Sequence, residues 1–128
     1  MKISKLTDYS LLILCQLSIS HLLPANKISE FTHVPLATTN KILRLLNKSN
    51  ICISKGGKSG GFSLARPQQE ISLLHVVQAI EGATPSITQC INDNTCKLQI
   101  HCKISQKMQI IDKEINFVLA NKFISDLI

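Results

Sequence analysis

Residues 37–67, ATTNKILRLLNKSNICISKGGKSGGFSLARP, predict a helix followed by a β-hairpin. Apolar residues recur at helical spacing over residues 37–47, and the other side of this helix carries hydroxyl, amide and basic groups. Residues 51–54 and 62–65 are two short candidate strands, and the seven residues between them include four glycines and two lysines. The stretch therefore predicts a basic helix with a glycine-rich hairpin directly after it.

Two more helices are predicted before this stretch, over residues 5–21 and 28–34. Helix, short helix, turn, helix and hairpin is the order of a winged helix-turn-helix, in which the last helix enters the DNA major groove and the hairpin lies against the flanking backbone. The candidate DNA contacts on the outer side of the helix and on the hairpin are Thr38, Thr39, Asn40, Lys41, Arg44, Lys55 and Lys58.

The charge distribution supports this interpretation. Residues 1–66 carry nine lysines and arginines against two acidic residues, a net +7, whereas residues 67–128 carry five lysines against six acidic residues, a net −1. A basic helix face can be merely solvated, and a glycine-rich loop can cradle a nucleotide phosphate, but here the loop joins two strands and not a strand and a helix. The combination of helix pair, basic face and lysine-bearing hairpin favours double-stranded DNA as the partner.

Beyond the hairpin, residues 71–81 predict a fourth helix with Ser72 as its cap and Gly82 at its end. A polar loop over residues 83–96 leads to a long last helix over residues 97–124. Its apolar residues step by four, three, four and three positions, which is a heptad seam flanked by polar residues that include Asp112. The seam residues are Ile104, Met108, Ile111, Ile115 and Val118.

A long amphipathic helix at the end of a small chain is covered most economically by a second copy of the chain. The seam therefore predicts a homodimer, and a twofold dimer suits a palindromic operator. The alternative is that the apolar stripe packs back on the first helix.

Three of the five cysteines are clustered, Cys90, Cys96 and Cys102, with five residues between neighbours. Six residues of continuous helix advance by about 600°, so the three thiols converge only if the segment is a loop. Thiolates are soft ligands, and the wide, even spacing favours an iron–sulfur cluster over zinc. Reversible thiol chemistry and an incidental grouping are the alternatives, and the position of His101 directly beside Cys102 favours a packing role over ligation.

Composition argues against other classes of protein. No stretch approaches the ~20 apolar residues of a membrane-spanning helix, and Asp8 lies where a secretory signal would begin its apolar core. An odd cysteine count is unlike a secreted disulfide scaffold, and Cys15 and Cys52 lie in apolar surroundings that predict buried thiols. We expect a cytoplasmic protein with no membrane partner. Without a Cys-x-x-Cys pair or a Cys–His–acid set, we expect no catalytic residues and no small-molecule substrate, and a thiol enzyme or cluster carrier is the distant alternative.

The sequence resembles the Rrf2 family of bacterial winged-helix regulators. The resemblance rests on the motifs KLTDY (5–9), GKSGGFSLARP (57–67), EISL (70–73) and IEG (80–82), together with the cysteine triplet. It implies a homodimeric transcription factor, and for members with this triplet an iron–sulfur cluster, 2Fe–2S or 4Fe–4S, whose state tunes DNA binding.

Within the family, the opening residues 3–9 most resemble those of regulators of SUF iron–sulfur assembly genes, close to the IscR-like and NsrR-like members. IscR-like members have a histidine three residues after the third cysteine, where this chain has Ser105. NsrR-like members use an aspartate from the first helix of the partner subunit, and the matching residue here is Asp8. The resemblance therefore makes Asp8 a candidate fourth ligand, with helix capping as its alternative role.

These observations predict a DNA-binding domain over residues 1–82, a cluster-binding loop over 83–102 and a dimerisation helix over 103–128. The predicted function is repression of iron–sulfur assembly genes in response to cluster status. Sensing of nitric oxide or redox stress by the same fold is the alternative.

Overall fold

The computed structural model describes residues 3–87 and 103–128, so the cysteine triplet and His101 lie outside the described residues. The elements, in chain order, are α1 (Lys5–Ser20), α2 (Ala25–Thr32), α3 (Leu36–Lys48), β1 (Cys52–Lys55), β2 (Gly61–Leu64), α4 (Leu73–Glu81) and α5 (Ser105–Ala120), with short 3-10 helices at Gln68–Glu70 and Ile124–Leu127. The predicted fold class, mainly α with a small β-hairpin, is confirmed. No helix in the described part of the chain is long and apolar enough to cross a membrane.

The core lies between α1, α3 and α4. Each helix buries one apolar stripe, formed by Ile13, Leu14 and Leu17 of α1, by Ile42, Leu43 and Leu46 of α3, and by Val76, Val77 and Ile80 of α4. Each fully buried aliphatic side chain contributes about 1.5–3 kcal/mol to stability. The spacing of apolar residues over 37–47 predicts Ile42, Leu45 and Leu46 as the inward stripe of this helix. In the structure Leu43 is fully buried and Leu45 only in part, which corrects that stripe.

Both predicted ends of α4 are confirmed. Ser72 caps the start of the helix, where its Oγ accepts a hydrogen bond from His75 N at 3.1 Å. Gly82 ends the helix with a left-handed φ of 75°.

The hairpin is extended by one residue from the chain before α2. Leu23 N donates to Phe62 O at 3.0 Å, and Phe62 N donates to Leu23 O at 2.7 Å. Pro24 follows at once as the N-cap of α2, so this helix begins three residues earlier than predicted. It ends at Thr32, because His33 adopts a left-handed φ of 61°.

The last helix ends at Ala120 and not near residue 124, which corrects the predicted boundary. After α5 the chain turns back to the start of α4, where Leu73 N donates to Lys122 O at 2.8 Å and Ile124 N donates to Ile71 O at 3.0 Å. The side chain of Ile124 is 0% exposed in the core. The chain leaves the helix here because burial of Ile124 and the hydrogen bond to Leu73 N stabilise the fold more than one further turn of α5 would.

Gly61 allows the close approach of the hairpin to Leu23. A Cβ atom at Gly61 would lie 2.4 Å from the carbonyl carbon of Leu23, and the φ of Gly61 is 154°.

We predict that Gly61→Ala lowers the free energy of unfolding by at least about 1–3 kcal/mol, because a side chain there clashes and strains the backbone. Gly56→Ala is the matched control, since nothing lies within 4 Å of a Cβ at that position. Urea unfolding of both variants checks this, and equal stabilities would contradict it.

Candidate functional site

The outer face of α3 is polar, basic and open to solvent. Asn40, Lys41 and Arg44 are exposed, and Thr38 is half-buried. Pro35, the N-cap of α3, makes no side-chain capping hydrogen bond. The first-turn N–H groups of α3 therefore lie at the same end of the helix as the polar side chains, where an anionic group can accept from them.

Thr39 does not lie on this face, and its predicted position on the outer side is wrong. It is 0% exposed, and its Oγ1 donates to Val34 O at 3.3 Å. Ser29 Oγ of α2 donates to the same carbonyl at 2.6 Å. Two hydroxyls from consecutive helices thus converge on one carbonyl of the connecting turn and hold α3 relative to α2. Thr39 positions the helix and is not available to a ligand.

The two lysines of the hairpin loop are exposed, as predicted. Lys55 and Lys58 border an open cleft of about 390 Å³ between the loop and the start of α2. Ala25, the first residue of α2, lies on the opposite wall of this cleft. The hairpin therefore carries two ammonium groups beside a second helix start.

The basic side chains of these two surfaces have no acidic partner among residues 3–87 and 103–128. The one ion pair found there joins Lys27 and Glu30 on α2, with Nζ 3.2 Å from Oε2. Lys41, Arg44, Lys55 and Lys58 are exposed and outside it. Exposed cations without internal partners can neutralise phosphate without first breaking a protein contact.

The cysteine triplet cannot be placed, because Cys90, Cys96 and Cys102 lie outside the described residues. Within the described residues, no group of three or more histidine, cysteine or acidic side chains could hold a metal ion. Asp8 is exposed in the first turn of α1. Its role as a fourth ligand stays a prediction.

Glu81 accepts two hydrogen bonds that the sequence pattern does not predict. Its Oε1 accepts from Ser4 N at 2.9 Å and from Thr7 Oγ1 at 3.2 Å, so the end of α4 is tied to the start of α1. An acidic residue in the last turn of a helix opposes the helix dipole. This unfavourable position is the one sign in the sequence that Glu81 has a partner elsewhere. The partner is the N-terminus of α1, from whose donors the carboxylate accepts.

The two cysteines outside the triplet differ in burial. Cys52 is buried, as predicted, and Cys15 is half-buried. Burial raises the pKa of the Cys52 thiol to about 12 and also raises the pKa of Cys15. Burial thus disfavours the thiolate, which is the form that redox and ligand chemistry require, at both positions.

His75 joins the hairpin to the end of α3, and nothing in the sequence pattern indicated this. Its Nδ1 shares a hydrogen bond with Arg66 Nη2, and its ring also bonds the backbone of Ser49, the C-cap of α3. Burial and the Arg66 charge lower the pKa of His75, in that order, against the opposing effect of the Ser49 contact. The imidazole is therefore held in the neutral form, which can accept from the guanidinium.

The outer side of α5 carries exposed apolar residues, with the exposed charged residues Lys107 and Glu114 among them. Ile104 is 62% exposed and Phe117 is 68% exposed. The other exposed apolar residues of this face are Ile110, Ile111 and Val118, whereas the seam residues Met108 and Ile115 are half-buried. The inner side of α5 contacts α4, and the first helix is contacted by the 3-10 helix Ile124–Leu127.

A helix pair with a basic outer face, followed by a lysine-bearing hairpin, defines the winged-helix class of DNA-binding proteins. The family model described as "Rrf2: Iron-dependent Transcriptional regulator" matches residues 3–128, and the chain belongs to this family. It is accordingly a DNA-binding transcriptional regulator and not an enzyme. A similar curated protein is the HTH-type transcriptional regulator NsrR of Shouchella clausii, 28% identical over 109 residues, which cover 81% of this chain and 72% of that protein.

Solved structures of regulators share the fold. CymR, the global cysteine regulator of B. subtilis, superposes with a TM-score of 0.76 at 18% identity, over 99% of this chain and 95% of that one. The IscR of T. potens superposes with a TM-score of 0.72, also at 18% identity, over 99% of this chain and 85% of that one. At this level of identity, these likenesses concern the fold alone.

Proposed function

We propose that this chain is a homodimeric repressor of iron–sulfur assembly genes, and that an iron–sulfur cluster held by Cys90, Cys96 and Cys102 controls its affinity for a palindromic operator. The observation that carries the DNA-binding part is the set of exposed basic side chains without internal acidic partners on α3 and the hairpin. We propose a cytoplasmic location on the same basis, since that is where the DNA lies.

The proposed contacts divide between the two surfaces. Thr38 and Asn40, at the start of α3, suit base edges and nearby phosphates, while Lys41 and Arg44 supply charge along the same face. Lys55 and Lys58 on the hairpin are placed for the flanking backbone. Thr39 supports this arrangement from inside, through the carbonyl of Val34.

The exposed apolar face of α5 supports the proposed dimer. Ile104, Ile111 and Val118 recur every seven residues along it, which is the spacing of a seam between paired helices. A second copy of the chain would cover this face by twofold symmetry and duplicate the DNA-binding surface for a palindrome.

The proposed division of labour follows the sequence, with DNA binding over 1–82, cluster binding over 83–102 and dimerisation over 103–128. Ile124 belongs to the same hydrophobic cluster as α1, α3 and α4. The division is therefore one of roles within a single folding unit.

The cluster is supported by the donor set of three thiols. Asp8 of the partner chain is the candidate fourth ligand that the resemblance implies, and Asp93 or another acidic residue is the alternative. When bound, the cluster would supply a centre that responds to iron supply, oxidants or nitric oxide. Nitric oxide is the alternative signal, because the chain is similar to an NsrR and the family resemblance links the NsrR-like members to nitric oxide. We favour cluster status because residues 3–9 resemble those of assembly-gene regulators.

We predict that Arg44→Ala and Lys41→Ala each weaken binding to a duplex that the wild-type protein selects from random-sequence DNA. The expected loss is about 1–3 kcal/mol for Arg44 if it reads a base. Lys58→Ala should instead lower the slope of log affinity against log salt by about 0.9. Lys113→Ala, an exposed change on α5, is the control. Failure to select any sequence, or equal affinities for all four variants, would disprove the proposed surface.

We predict that anaerobic reconstitution with ferrous iron and sulfide loads two or four irons per site with matching sulfide. Cys96→Ser should lose this capacity because it removes a ligand, whereas Cys15→Ser should keep it. Iron and acid-labile sulfide analysis measures both. Zinc in place of iron, or unchanged iron in Cys96→Ser, would overturn the cluster.

A further inference from the structure

The inner side of α5 is polar where it contacts residues 85–87. These residues directly precede residues 88–102, which carry the three cysteines and are called the cysteine segment below. Asp112 is only 6% exposed, although the heptad pattern predicts it as a solvent-facing flank of the seam. Asn116, one turn later, is half-buried. Two polar side chains of α5 are thus turned inward over this turn, whereas the charged Lys113 and Glu114 between them are exposed.

These two side chains hold the backbone of residues 85–87. Ile87 N donates to Asp112 Oδ1 at 2.8 Å. Asn116 Nδ2 donates both to Pro85 O at 3.0 Å and to the backbone carbonyl of Asp112 at 3.0 Å. The contacts span 25 and 31 residues of sequence and connect the chain just after α4 with the middle of α5.

Burial of these polar groups needs an explanation. A buried carboxyl or amide group costs free energy unless it is hydrogen-bonded, and an aliphatic side chain would pack at these positions without that cost. Asn116 Oδ1 is buried and has no hydrogen-bond partner in the described part of the chain. The hydrogen bonds of Asp112 and Asn116 to the backbone of residues 85–87 explain why polar residues occupy these positions. Residues 85–87 lead directly into the cysteine segment.

We infer that Asp112 and Asn116 are positioning residues that fix the start of the cysteine segment on α5 and so link the ligand state of that segment to the dimerisation helix. The pair touches no metal ligand among the described residues and acts through the backbone of Pro85 and Ile87. The inference rests on the proposed function for the ligand that the segment holds. The hydrogen bonds from Asp112 and Asn116 to residues 85–87, called the clamp below, are observed without that ligand.

The first measurement is amide hydrogen exchange at Ile87 in the metal-free, full-length protein. Asp112→Ala should speed exchange by about fivefold or more, because the Ile87 N–H loses its acceptor. Asp112→Asn should restore most of the protection, since an amide oxygen can accept the same bond. Glu114→Ala, an acidic but exposed residue on the same helix, is the matched control. Unchanged exchange in Asp112→Ala would overturn the clamp.

The second measurement is titration with Co²⁺, read by thiolate-to-metal absorption. Asp112→Ala and Asn116→Ala should each weaken Co²⁺ binding by about fivefold or more, and Asp112→Asn should bind nearly as wild type does. Faster exchange with unchanged Co²⁺ affinity would overturn the link to the cysteine segment. If the wild-type protein shows no thiolate absorption at all, the proposed ligand site fails, while the exchange data still decide the clamp. Should Asp112→Ala not fold, the Co²⁺ affinity of Asn116→Ala decides the inference, because this variant removes the hydrogen bond to Pro85 O and leaves the acceptor of Ile87 N in place.

Discussion

The return of the chain to the start of α4 is the constraint on which the rest of the structure depends. Backbone hydrogen bonds join residues 122–124 to residues 71–73, and they place Ile124 among the core residues of α1, α3 and α4. Because α5 precedes this anchor directly, its position on the DNA-binding unit is fixed at its C-terminal end. A dimer formed through α5 would therefore set the spacing of two α3 helices, as reading of a palindrome requires.

Two kinds of contact meet on α5 as a result. Its outer side carries exposed apolar side chains, while its inner side holds residues 85–87 through Asp112 and Asn116. Glu81 fixes the same connection from the other side, by its hydrogen bonds to Ser4 and Thr7 at the start of α1. Described hydrogen bonds thus connect residues 81–87, which precede the segment with Cys90, to both α1 and α5.

Much of this arrangement could be predicted from periodicity and caps. The apolar stripes of α1 and α4, the Ser72 cap and the Gly82 end follow from local rules that tertiary contacts do not override here. Thr39 was misplaced because a hydroxyl can be buried once it finds an acceptor, and Val34 O lies in a turn whose geometry no pattern encodes. The end of α5 and the burial of Asp112 depend on partners 25 to 53 residues away, beyond the reach of any local signal.

The candidate site was predicted unevenly for the same reason. Exposed cations on α3 and the hairpin could be inferred, because charged side chains stay on the surface by default. The pairing of His75 with Arg66 could not be inferred, since it joins α4 to the chain just after β2 through the fold alone.

The most direct measurement is the operator affinity of one anaerobic preparation before and after removal of its cluster by a chelator. We predict that the two dissociation constants differ by about fivefold or more, and equal constants would contradict control of DNA binding by the cysteine segment.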